Sequence, residues 1–87
     1  MNYYLVERRM PGMTQASLVA LQRALGAATH RLGTPGSPVR YIGSVYLPQR
    51  DTCLCLFEAT DPGRVRRAND TAQAPYDQIH EAVALLG

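Results

Sequence analysis

Tyr3-Tyr4-Leu5-Val6-Glu7-Arg8, closed by Pro11-Gly12, reads as a first, central β-strand with two ionisable residues at its exit. Two aromatics with Leu and Val suit a pleated, half-buried surface, and Pro11-Gly12 breaks the strand into a turn. Glu7 is the odd member: a carboxylate set into so apolar a run needs either a partner or a task.

Working outward, residues 13–33 carry a helical pattern, with Leu18, Leu21, Leu25, Ala28 and Leu32 recurring at steps of three and four. Thr14 or Ser17 is the expected N-cap and Gly33 the stop. A short Pro/Gly/Ser-rich loop follows. Residues 39–47 and 52–59 then read as two strands of an antiparallel hairpin, joined by Pro48-Gln49-Arg50-Asp51. Asp61-Pro62 opens a short second helix, with Asp61 as N-cap and Pro62 in the first turn. The last segment, residues 76–86, fits either a helix or a strand by pattern. Propensity favours helix, whereas element order favours strand, because β-α-β-β-α is completed by a final strand in the ferredoxin-like arrangement. The expectation is therefore an α+β, ferredoxin-like β-α-β-β-α-β fold, with a four-stranded antiparallel sheet and both helices on one face.

With 87 residues the chain is expected to form one domain with one modest core. A sheet with an uncovered face on so small a protein favours a partner, so a sheet-to-sheet homodimer is expected. The formal net charge is only +2 and the arginines are scattered, unlike the concentrated basic face of a nucleic-acid binder. No apolar run is long enough to span a membrane, and the start of the chain lacks a signal-peptide pattern. The expected compartment is the cytoplasm, with neither nucleic acid nor membrane as a partner. Cys53 and Cys55 are the only cysteines. They are too close in sequence for a disulfide framework and too few for a zinc site.

Strand alternation sorts the residues by face. Tyr4, Val6, Tyr41, Gly43, Val45, Leu47, Cys53, Cys55, Phe57 and Ala59 form the wholly apolar sets expected beneath the helices. Counted straight through, the opposite face receives Tyr3, Leu5, Glu7, Arg40, Ile42, Ser44, Tyr46, Leu54, Leu56 and Glu58. That mixture is too apolar for water and too polar for a plain core, and it suits a dimer interface enclosing a ligand cleft.

On this face Glu7, beside Leu5 and Tyr3, is expected to be desolvated and poised as a base. The alternative is a salt bridge to Arg40. If the last segment is a strand, His80 lies opposite Ile79, Val83 and Leu85 and shares the face of Glu7. A Glu7–His80 acid/base couple then becomes geometrically available. Tyr46 and Ser44 are further hydrogen-bond donors. His30 reads as a solvated helix-end residue, and Arg64, Arg66 and Arg67 as a charged outer face. The two histidines and scattered acids supply no ligand set with metal-binding spacing.

The run Tyr4-Leu5-Val6-Glu7-Arg8 with Pro11-Gly12, then Gly43-Ser44-Val45, Asp51 leading to Cys55, Ala59 and Asp61, and more weakly Pro75 to Ile79 and Glu81, resembles a family of small bacterial domains that includes an actinobacterial nickel-binding protein. The resemblance implies a ferredoxin-like fold that dimerises through its sheets, and it supports a strand for the last segment. It also implies a His in the second helix, near where this chain has Ala68, while the polar positions Glu7 and Ser44 are kept. Related dimeric α+β folds include cofactor-independent oxygenases, isomerases and lactone-processing enzymes, an analogy of fold alone. The leading expectation is a homodimer binding a small, mostly apolar organic molecule, with acid/base isomerase or cyclase chemistry by Glu7, assisted by His80 or Tyr46, and no cofactor. The alternatives are a nickel-binding protein and a non-catalytic partner-binding module.

Overall fold

The computed structural model describes residues 1–87. The elements run β1 (Asn2–Arg9), α1 (Gln15–Leu32), β2 (Val39–Leu47), a 3-10 turn (Pro48–Arg50), β3 (Thr52–Ala59), α2 (Pro62–Thr71) and β4 (Gln78–Ala82). The strands form one four-stranded sheet in the order β2-β3-β1-β4, every pairing antiparallel. This is the expected ferredoxin-like α+β topology. β1 is central, between β3 and β4.

Local chemistry explains the boundaries. Thr14 caps α1, its Oγ1 accepting from the Ser17 N–H at 3.1 Å. α1 ends at Gly33, whose backbone is not left-handed (φ −71). Glycine relieves crowding there, since a Cβ would lie 3.1 Å from the Thr29 carbonyl oxygen and 3.2 Å from that of Val39. Asp61 caps α2 by accepting from the Arg64 N–H at 3.0 Å, with Pro62 behind it. α2 stops with Gln73 in the left-handed region (φ 54). There the Gln73 N–H reaches Asp70 O and the Ala74 N–H reaches Asn69 O, the paired bonds of a Schellman ending.

The core lies between the sheet and the helices: Tyr4, Val6, Leu25, Val39, Cys53, Cys55, Phe57, Ala59, Val65, Ala68 and Ala74. The cysteines are buried and free, as the face count requires.

Two corrections follow from the register. Between Tyr41 and Gly43 the β2–β3 pairing slips, leaving Ile42 without a partner. This bulge inserts one residue and inverts the alternation beyond it. Ser44 now pairs with Cys55 and Tyr46 with Cys53, so both face the helices rather than the open side. Gly43, Val45 and Leu47 take the open face in their place. The second correction concerns the last segment. It is a strand, but it ends at Ala82, so Val83 and Leu85 lie beyond it and are exposed, with only Ile79 packing against the core.

Candidate functional site on the open sheet face

The open face gathers Tyr3, Leu5 and Glu7 from β1, Leu54, Leu56 and Glu58 from β3, His80 from β4, and Arg40 with Ile42 from β2. Strand alternation predicts all of them there. Arg40 and Ile42 keep their places because Arg40 precedes the bulge and Ile42 is the bulged residue.

Glu7 and His80 meet. Glu7 Oε1 lies 2.9 Å from His80 Nε2. An ionised carboxylate can only accept, so the ring N–H donates. Each side chain is 43% exposed, so within one chain Glu7 is half-solvated rather than desolvated. Nor does it bridge to Arg40, which instead pairs with Glu58 at 2.9 Å, across the hydrogen-bonded β2 and β3 strands.

Around the Glu7–His80 pair the surface is shallow. A depression of about 510 Å³ is lined by Leu5, Glu7, Leu47, Arg50, Thr52, Leu54 and His80. Beside it a more apolar one, about 390 Å³, is walled by Leu5, Ile42, Val45, Leu54 and Leu56. Leu5 and Leu54 belong to both. The face thus joins an apolar patch around Leu5, Leu54 and Leu56 to two pairs of ionisable side chains, Glu7–His80 and Arg40–Glu58.

Tyr46 and Ser44 serve elsewhere. Tyr46 O–H donates to Met10 O at 2.8 Å, tying β2 to the chain after β1. Ser44 O–H donates to Cys55 Sγ at 2.9 Å, and its oxygen is hydrogen-bonded to the Tyr41 hydroxyl. Burial raises the Tyr41 phenol above its ordinary 10.0. Burial, reinforced by Cys55 close by, pushes the Cys53 thiol up from 9.0 to about 11. His30 is exposed in the last turn of α1, as are Arg66 and Arg67 on α2.

Arg8 stands outside the expected site residues and holds the fold together. Arg8 is 1% exposed, donating from Nη1 to Ala74 O at 3.0 Å and to Pro75 O at 3.4 Å, and from Nη2 to Asn69 Oδ1. The signal was present in the strand parity, since Arg8 continues the Tyr4, Val6 series that faces the helices.

Residues 4–82 match the family described as "Nickel responsive protein SCO4226-like". The chain belongs to that family. Among solved structures it resembles SCO4226 of Streptomyces coelicolor A3(2), with a TM-score of 0.82 at 24% identity over 97% of this chain and 99% of that one. At that identity the likeness establishes the fold. No curated protein sequence matches the chain.

The family's description raises the question of nickel, and the donor set answers it for a single chain. No three His, Cys, Asp or Glu side chains converge closely enough to hold an ion. Glu7 and His80 offer two donors. Ala68, near which the resemblance implies a His, is wholly buried and carries no donor. One chain therefore does not complete a nickel site of four or more ligands.

Proposed function

We propose that this family member works as a homodimer whose open sheet faces pack together and enclose a small, mostly apolar organic molecule over the Glu7–His80 pairs. The observation that carries the proposal is the Glu7–His80 contact of 2.9 Å beside the apolar patch of Leu5, Leu54 and Leu56. A small domain gains from covering such a face. Enclosure would also remove water from a pair that is half-exposed in one chain, strengthening its electrostatics. Glu7 then accepts a proton from an acidic C–H of the ligand and returns it at a second carbon, while Nε2–H of the His80 ring holds the carboxylate in place and Nδ1–H, present in the imidazolium form, donates a hydrogen bond to the developing oxyanion. Isomerisation or cyclisation is the class of reaction this serves, with no cofactor involved.

The test has two stages. Sedimentation of the purified protein should give a dimer, and Leu54→Arg should dissociate it without unfolding it; a monomer at high micromolar concentration would refute the enclosed cleft. Native mass spectrometry of the intact dimer then identifies what it carries, and Glu7→Gln should abolish turnover of that compound while the fold stays intact.

A second reading is favoured by family membership alone: the protein binds nickel, with Glu7 and His80 supplying a carboxylate and an imidazole and a second copy or water completing the set. Calorimetry with nickel on tag-free protein decides it. One ion per two chains, lost in His80→Ala, supports a shared site, and heat no larger than the buffer control removes this reading.

A further inference from the structure

The helix side of the sheet carries a second chemical centre, independent of the open face. Cys53 and Cys55 are free and fully buried, with their sulfurs 3.8 Å apart. They occupy successive inward positions of β3. In an extended strand such positions lie roughly 6.6 Å apart along the chain, whereas a disulfide brings its Cβ atoms to about 3.8 Å. Closing an S–S bond would therefore need the two Cβ atoms to tilt together, against the parallel stance of side chains on one strand face. The fold holds two thiols as neighbours and keeps them from consuming each other.

Directly across the β1–β3 ladder from Cys53 stands Arg8, on the same face. Its guanidinium is almost wholly buried. Its hydrogen-bond partners are Ala74 O, Pro75 O and Asn69 Oδ1, all neutral, and its Nε has no partner at all. No carboxylate pairs with it: the ion pairs of the chain are Arg40–Glu58 and His80–Glu7. Buried charges are normally paired, so the core holds a cation without a carboxylate partner, carried by the residue that stands opposite Cys53. A lone thiolate does not fill the gap, because burial favours the neutral thiol.

We propose that Cys53 and Cys55 form a two-coordinate site for a soft monovalent d10 cation, with Cu(I) as the ion it fits. Soft thiolates select such ions. On binding, two S–H bonds break, two protons leave to solvent and two S–Cu bonds form, with no change of oxidation state. The product, one monovalent cation with two thiolates, carries a single negative charge, which compensates Arg8. Metal binding drives the deprotonation that burial alone opposes. The Ser44 hydroxyl, already donating to Cys55 Sγ at 2.9 Å, supplies the outer hydrogen bond that steadies a sulfur ligand. Metal–sulfur bonds of about 2.3 Å on opposite sides of an ion place the sulfurs roughly 4.6 Å apart, less than an ångström beyond the present separation and within reach of side-chain rotation. The entry is a cleft of about 260 Å³ between α1 and β2, walled by Leu18, Leu21, Tyr41, Ser44 and Tyr46, with Cys53 in its lining.

The experiment is an anaerobic titration of the reduced, full-length protein with Cu(I), in competition with a coloured Cu(I) chelator, followed by X-ray absorption at the copper edge. The expected result is one Cu(I) per chain with two sulfur neighbours. Cys53→Ser and Cys55→Ser should each weaken binding at least a hundredfold, and His30→Ala should leave it unchanged. Failure of the folded protein to take up Cu(I), nitrogen or oxygen in place of sulfur around the ion, or full binding in folded Cys→Ser variants would each overturn the proposal. Should either variant fail to fold by circular dichroism, the copper-edge spectrum of the unsubstituted protein decides the matter alone.

Discussion

His80 and Glu7 touch although they are not register partners. Glu7 stands opposite Gln78 and His80 opposite Leu5, so the 2.9 Å contact runs diagonally across the β1–β4 ladder. Diagonal neighbours on one face lie about 7–8 Å apart at their Cα atoms, within reach of long side chains. The contact therefore depends on His80 being on a strand, and on that strand lying beside β1.

Because both side chains are half-exposed, the pair contributes little to stability, about 1 kcal/mol at most. Glu7→Gln and His80→Ala should each shift the urea midpoint only slightly. A loss of several kcal/mol in either would show that the pair is a structural clamp and would remove the main argument for its chemistry.

Tyr46 provides the contrast. Its hydroxyl serves Met10 O on the helix side, so Tyr46→Phe should cost about 1 kcal/mol in stability, the net worth of one hydrogen bond. It should leave ligand binding or turnover at the open face untouched. A fall in turnover at unchanged stability would return Tyr46 to the site.

Arg8→Ala should destabilise the fold by about 3 kcal/mol or more, since it leaves buried acceptors on Asn69 and Ala74 unpaired and opens a cavity. Amide exchange should quicken first in residues 72–77, the segment joining α2 to β4. Equal protection there in wild type and variant would show that Arg8 does not hold that segment.

Gln73 bears a side chain in the left-handed region (φ 54) at the end of α2. Glycine carries no Cβ penalty there, so Gln73→Gly should stabilise by about 1 kcal/mol, raising the melting temperature by about 4–8 °C for a domain of this size.

The Cys53 thiol gives a pH dependence whose sign is determined. Its proton is held more tightly in the folded chain, up to about 11, than in the unfolded one at 9.0. Below pH 9 both states are protonated and the stability is complete. As pH rises through this window the unfolded state loses the proton first, and stability falls. Tyr41, raised above 10.0, acts in the same direction from higher pH. The chain has no lysine, so lysine titration does not mask the effect. Urea midpoints measured from pH 7 to 11 under reducing conditions should fall less steeply in Cys53→Ser; identical slopes would refute the assignment.

Much of this was legible locally. Thr14 and Asp61 cap their helices, Pro62 starts α2, and the apolar spacing of α1 and the boundaries of β2 and β3 follow from residues near one another in the chain. Caps and periodicity depend on bonds a few residues long, which a sequence displays directly. For the same reason Glu7, His80, Leu5, Leu54, Leu56 and Glu58 could be placed on one face by counting in twos. The last segment was ambiguous by propensity, and only element order and family resemblance favoured the strand.

The tertiary structure decided the rest. The one local hint of the bulge at Ile42 is the neighbouring Gly43, an isolated glycine within a strand, and the single extra residue puts Ser44 and Tyr46 on the opposite side of the sheet. The end of β4 at Ala82 coincides with the last residue of that strand to pair with β1, leaving Val83 and Leu85 without a strand to join. Arg8 finds its acceptors on Asn69, Ala74 and Pro75, more than 60 residues away. Amino-acid sequence thus determined which segments become helix and strand, because hydrogen bonding and burial periods are short-range. It took the assembled sheet to determine which side chains meet, because pairing register and distant acceptors exist only once the strands are laid side by side.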